Sequence, residues 1–167
     1  MILIASADNN WGIGRDNALL FHARADMARF RVLTTGCTVV MGRKTLLSMP
    51  GGKPLPNRRN IVLSRDSAFA PDGVTTARDI PQLLDLVRET DGTQVYVIGG
   101  AEIYRALLPY CDTAYITRFY AHKDADRFLP DLSADRAWTL HARSPLYAQG
   151  DLYFTFDTYI RKGVDSL

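Results

Sequence analysis

Five segments of the chain are apolar almost throughout: Ile2–Ala7, Thr38–Met41, Asn60–Leu63, Gln94–Ile98 and Thr113–Thr117. Continuous rather than alternating apolar runs predict strands covered on both faces, as in a parallel α/β sheet. Between them the spacing predicts helices over Ala25–Leu33, Ile80–Glu89 and Ala101–Leu108, and a short helical turn after Arg43. Asp79 is suited to cap the second of these, and Pro81 to its first turn. Such alternation of strand and helix implies right-handed crossovers and a wound sheet. The end of the chain reads differently. Trp138–Arg143 and Leu152–Ile160 are expected as a hairpin about Gln149-Gly150-Asp151, which adds an antiparallel edge to the sheet.

Length and composition narrow the class. At 167 residues, 47% hydrophobic and 23% charged, the chain fits one domain with a sizeable core. A net charge of +2 is too small for a protein that works by neutralising many phosphates, so nucleic acid is not expected as a partner. No apolar run is long enough to span a bilayer, and no membrane association is expected. Cys37 and Cys111 read as reduced thiols and the three histidines lack metal-ligand spacing, so a cytoplasmic, metal-free protein is expected.

Two motif-like segments fail on inspection. Gly12-Ile13-Gly14 follows the first strand but lacks the third glycine and the later acidic residue of a dinucleotide fingerprint. It reads instead as a mobile glycine-containing loop, with Asn9–Ala18 as a candidate lid. Gly42-Arg43-Lys44-Thr45 resembles the end of a phosphate loop, but Arg43 interrupts the Gly-Lys pair.

The chemistry begins with Asp26 in the first turn of its helix. Phe30 and Leu33 follow at i+4 and i+7 with Met27 alongside, which predicts a semi-buried carboxylate, and no protein cation is expected to neutralise it. A ligand offering two adjacent N–H donors, such as a 2-aminopyrimidine edge, satisfies it bidentately. Three strand ends carry groups suited to phosphate: Gly42 to Thr45, Leu63-Ser64-Arg65, and Gly99-Gly100 before the helix from Ala101. Two phosphate sites fit a dinucleotide, and the third a 2′-phosphate.

Ile4-Ala5-Ser6-Ala7, Ile13-Gly14, Asp26-x-x-x-Phe30, Met41-Gly42-Arg43-Lys44-Thr45, Pro54-Leu55-Pro56-Asn57-Arg58, Asn60-Ile61-Val62-Leu63-Ser64, Val97-Ile98-Gly99-Gly100 and Tyr104 occur in this order across nearly the whole chain. As an ordered set they resemble the dihydrofolate reductases of bacterial chromosomal type. The resemblance implies a single domain over residues 1–167. It also implies a mainly parallel central sheet of about eight strands with helices on both faces and an antiparallel C-terminal edge strand. The activity it implies is NADPH-dependent reduction of dihydrofolate to tetrahydrofolate by a monomer, with hydride passing to pterin C6 and a proton to N5.

Residue roles follow from the same likeness. Asp26 would hold pterin N3 and the 2-amino group, Thr117 would support it, and Phe21 would stand near the proton path. Ile4, Ala5, Met27, Phe30, Met49, Leu55 and Ile98 would line the substrate, with Arg58, assisted by Lys53, gripping the glutamate tail. NADPH would lie along Ser6, Ile13, Gly14, Asn17, Ala18, Leu19, Gly42, Arg43, Lys44, Thr45, Ser48, Leu63, Ser64, Arg65 and Arg78. Beyond these it would follow Ile98, Gly99, Gly100, Ala101, Glu102, Ile103 and Tyr104. The resemblance implies that a water molecule delivers the proton, leaving Asp26 to orient and polarise the ring.

The chain departs from the family pattern at Leu20-Phe21, where Pro-Trp is usual, at Arg24, where proline is common, and at Arg127, where threonine is commoner. Phenylalanine has no N–H to donate. Two alternatives stand beside the main reading: the pyrimidine reductase of riboflavin synthesis, which shares fold and cofactor, and a pterin- or NADPH-binding protein without turnover.

Overall fold

A computed structural model describes residues 1–90 and 92–163. In chain order the first half contains β1 (Ile2–Ala7), β2 (Gly12–Arg15), β3 (Ala18–Leu19), α1 (Arg24–Thr34), β4 (Thr38–Gly42), α2 (Arg43–Ser48), β5 (Arg59–Leu63) and β6 (Val74–Ala77). The second half contains α3 (Ile80–Arg88), β7 (Val95–Gly99), α4 (Ala101–Leu107), β8 (Thr113–Phe119), β9 (Arg127–Phe128), β10 (Trp138–Arg143), β11 (Tyr147–Gln149) and β12 (Leu152–Arg161). The main sheet runs β10-β12-β8-β1-β7-β4-β5-β6, with β11 attached to β12. Strands β8, β1, β7, β4, β5 and β6 pair in parallel, whereas β12 is antiparallel to β8, and β10 and β11 are antiparallel to β12.

Alternate residues of the central strands feed two cores. Leu3, Val40, Ile61 and Val97 pack with Leu83, Ile103 and Leu107, from α3 and α4. Their sequence neighbours Ile4, Val39, Met41, Val62, Tyr96 and Ile98 pack with Leu46 of α2 and with Phe30 and Leu33 of α1. A parallel strand needs apolar side chains in both directions, which is why these runs do not alternate with polar residues. Full burial of each such side chain contributes roughly 1.5–3 kcal/mol. Asp79 does cap α3, its side chain accepting from the Gln82 amide at 2.8 Å.

Two expectations are corrected. The turn at Gly150 joins β12 to the short β11, not to Trp138–Arg143; that segment is the sheet edge and pairs with the far end of β12. The glycine segment expected as a loop carries paired strand structure at its centre. Gly12–Arg15 is a strand lying between β3 and β9 in a three-stranded sheet. Asp8, fully buried, pins its start by accepting from the amides of Asn10, Gly12 and Lys123.

Candidate active site

Helix α1 crosses the sheet so that its first turn meets β8. Thr117 is 2% exposed there, and its hydroxyl donates to Asp26 Oδ1 at 2.5 Å. Burial pushes the Asp26 carboxyl above the usual carboxylate range, while the Thr117 hydrogen bond and the positive charge of Arg29 pull it back. Among the described residues no ion pair neutralises Asp26, but Arg29 stands one helical turn along the same face, where its charge acts on the carboxylate without pairing with it. An aspartate with one hydroxyl donor, in a half-buried position, retains acceptor capacity for paired N–H groups.

Part of the expected set comes together on the side of the sheet that Phe30, one turn after Asp26, packs against. Ile4, Phe30, Met49, Leu55 and Ile98 belong to one apolar cluster. Ala5 packs at the margin of the other core. Met27 points outward at 48% exposure, at the rim rather than beside Phe30. Phe21 is not near open space: its ring is 2% exposed and stacks on Phe119 at 4.4 Å in a cluster with Leu20, Ala23 and Phe154. A ring so enclosed fills volume, and it has no N–H or O–H with which to relay a proton.

Arg58 lies half-buried at the far end of α1, its Nε donating to Thr34 Oγ1 at 2.9 Å and an Nη to the Pro56 carbonyl at 2.6 Å. Burial, and then the neighbouring Arg31 charge, lower its pKa, so an anion is the natural complement. It borders a hollow of about 320 Å³ with Cys37, Asn57 and Arg59. Lys53 is exposed nearby in sequence.

The C-terminal ends of the neighbouring strands β4 and β7 each open directly into a helix. Helices α2 and α4 start at Gly42 and Gly100 without side-chain caps, leaving their first amides free of side-chain partners. Space at these turns excludes side chains: a Cβ on Gly42 meets Ile103 at 3.0 Å, and one on Gly100 meets Thr45 Oγ1 at 3.2 Å. Gly99, at φ 119°, faces the Tyr104 ring, whose hydroxyl donates to the Ile4 carbonyl at 2.8 Å. Burial raises the Tyr104 phenol, which keeps that donor protonated. Ala101, Ile103 and Tyr104 are buried, so main-chain atoms are what they can offer a ligand, whereas Glu102 is exposed. The Asn17 side-chain amide donates to the Lys44 carbonyl at 3.3 Å, next to exposed Ala18 and Leu19. Ile13 is buried, and Gly14 and Ser6 are half-buried at the same strand ends.

Not every expected cation stands free. Arg43 pairs with Asp66 at 2.7 Å, and Arg78 donates to the Asp66 and Ser67 carbonyls. Both build the loop after β5; Lys44 and Arg65 remain exposed. Ser64 is 5% exposed and accepts from the Asp66 amide, Leu63 is half-buried on its strand, and Ser48 donates to the Thr45 carbonyl at 2.7 Å. Residues absent from the sequence reading are Arg29, Thr34, Asp8 and Asp66. Only Arg29 left a usable signal, its i+3 spacing from Asp26.

The family model for dihydrofolate reductase matches residues 1–161. The chain is 41% identical over 132 residues to the dihydrofolate reductase of Haemophilus influenzae, covering 79% of each. It is 38% identical over 139 residues to that of Bacillus subtilis, covering 82% of this chain and 79% of the relative. A solved dihydrofolate reductase from Enterococcus faecalis, complexed with NADP(H) and RAB-propyl, superposes with a TM-score of 0.86 at 27% identity. That match covers 96% of this chain and 95% of the other.

Proposed function

The chain belongs to the dihydrofolate reductase family, and from that premise we propose that it is a single domain over residues 1–167 that reduces 7,8-dihydrofolate to tetrahydrofolate with NADPH. The observation that carries this reading is the half-buried Asp26 carboxylate, held by Thr117 in an apolar cleft. Asp26 accepts the N3 and 2-amino N–H groups of the pterin, fixing the ring's orientation and polarising it. Thr117 locks the carboxylate rotamer. Phe30, Met49, Leu55 and Ile98 exclude water from the ring, and Met27 closes the rim. Arg58, oriented by Thr34, takes the anionic tail, with Lys53 as an auxiliary charge.

The strand ends suit a dinucleotide: two uncapped helix starts open side by side at glycines, where close packing against Ile103 and Thr45 leaves no room for a Cβ and the main-chain amides stay bare. Gly42–Thr45, Ser48 and Gly99–Tyr104 would hold the phosphates and ring through main-chain and hydroxyl groups. Leu63, Ser64 and Arg65 would hold the adenosine end, with Arg43 and Arg78 shaping that loop. Ser6, Ile13, Gly14, Asn17, Ala18 and Leu19 would cover the nicotinamide side. When bound, NADPH supplies the hydride for pterin C6. The chain itself provides proximity and exclusion of bulk water, and a water molecule rather than Asp26 delivers the N5 proton. We take the chain to act as a cytoplasmic monomer, in keeping with its two free thiols.

The pyrimidine reductase alternative is not favoured, since its substrate calls for neither Asp26 nor Arg58 in these places. Following the nicotinamide absorbance with NADPH and dihydrofolate tests the proposal. Oxidation that requires dihydrofolate supports it; tight binding of both ligands without oxidation supports the non-catalytic reading.

A further inference from the structure

Arg29 is a cation in the apolar cleft that the family pattern does not explain. It follows Asp26 by three residues on α1, a spacing that makes side chains neighbours on a helix surface. Its guanidinium lies over two rings at once, 5.1 Å from the centroid of Tyr115 and 4.7 Å from that of Phe156. Tyr115 precedes Thr117 by two residues on β8, so both side chains leave the same face of the strand. Phe156 is the cross-strand partner of Thr117 on β12. The threonine that binds the Asp26 carboxylate and the rings that clamp the guanidinium are therefore one patch of sheet. Among the described residues Arg29 enters no ion pair. Partial burial of a long cation costs hydration and rotamer freedom, and stacking on two rings is what opposes that cost. A charge kept there at a cost points to a task for the charge.

We propose that Arg29 is a positioning residue for the reaction: clamped by Tyr115 and Phe156, it keeps a positive charge beside Asp26 so that the carboxylate stays ionised and ready for the pterin N–H pair. This rests on the reading of Asp26 as the pterin ligand. The groups facing the pair from other elements are Thr117 and Tyr115 on β8, Tyr96 on β7, Tyr147 on β11 and, toward Asp26, Tyr104 on α4. They contribute hydroxyls and rings. Arg29 contributes the full positive charge, and a guanidinium stays protonated throughout the working pH range. Burial and Arg29 act on the Asp26 carboxyl in opposite directions, so deleting the cation leaves burial less opposed.

The test is a ¹³C NMR titration of the Asp26 carboxyl in ligand-free protein, native against Arg29→Met and Arg29→Lys, together with the pH profile of folate binding. Methionine keeps an apolar stem against the rings without the charge; lysine restores the charge without the guanidinium plane. The Asp26 midpoint is expected to rise in Arg29→Met and to return toward native in Arg29→Lys. Folate binding is then lost at a higher pH in Arg29→Met, in step with the midpoint. An unchanged midpoint in Arg29→Met overturns the proposal. So does a rise that Arg29→Lys reproduces in full, because packing and not charge would be its cause. If Arg29→Met does not fold, Arg29→Gln against Arg29→Lys carries the same comparison. A raised midpoint in a protein that binds no folate at any pH would overturn the functional reading alone and leave the coupling of the two side chains standing.

Discussion

The hydroxyl of Thr117 donates to the Asp26 carboxylate at 2.5 Å across 91 residues of chain, tying helix α1 to the sheet at the point where substrate chemistry is assigned. Thr117→Val keeps the shape and removes the donor. The Asp26 carboxyl should then titrate at higher pH, and folate binding at neutral pH should weaken by about 1.5–3 kcal/mol, the usual worth of a hydrogen bond to a charged group. Isothermal titration with folate checks the loss; an affinity equal to native would mean that Asp26 needs no fixing.

Asp26 itself should cost the apo protein stability at neutral pH. Burial raises its folded pKa, so its contribution to folding is present below the unfolded carboxyl pKa and is lost as pH rises through the folded value. Asp26→Asn keeps an acceptor for Thr117 and abolishes that loss. Its Tm should exceed native at neutral pH and converge with it in acid, each kcal/mol relieved appearing as about 2–4 °C. A lower Tm across the range would show the carboxylate to be structural.

Arg58→Ala should weaken folate binding by about 2–4 kcal/mol, as for a truncated charge-assisted contact. Binding of pteroate, which lacks the glutamate, should barely change. Equal losses for both ligands would place Arg58 in packing and not at the tail.

Gly99 holds φ 119° with the Tyr104 ring 3.3 Å from where a Cβ would stand. Gly99→Ala is expected to lose about 1–3 kcal/mol of stability and to bind NADPH more weakly. Chemical denaturation and a fluorescence titration read the two effects separately. A native-like variant would show that the backbone there relaxes freely.

Phe21→Trp adds a fused ring to a site that is 2% exposed and stacked on Phe119. Overpacking should lower stability by about 1–3 kcal/mol. An increase in Tm would mean that the pocket still has room for the indole usual in the family.

The central strands were legible because both of their faces are buried, which leaves a sequence signal no other element shares. Asp79 and Pro81 likewise announced α3 through local chemistry alone. What escaped depended on contacts distant in sequence. The strand Gly12–Arg15 is fixed by pairing with Arg127–Phe128, more than a hundred residues away, so its glycines read locally as a loose loop. Trp138–Arg143 does pair antiparallel with β12, but the turn at Gly150 leads first into the short β11, since a turn does not specify how far its strands extend. Asp26 was legible from its apolar stripe, whereas the rings that hold Arg29, Tyr115 and Phe156, lie on strands far from it in sequence, and only its spacing from Asp26 is local. Arg43 and Arg78 looked like phosphate ligands because the acceptors that occupy them, around Asp66, lie on a separate loop.

The most direct measurement is single-turnover transfer from NADPH deuterated at C4 to dihydrofolate, in the native protein and in Asp26→Asn, with NADPH affinity measured on both. If the Asp26 carboxylate orients the pterin, deuterium appears at C6 of tetrahydrofolate in the native protein. The variant then slows by orders of magnitude while binding NADPH as tightly as before. Equal transfer rates in the two proteins, or no label at C6, would contradict it.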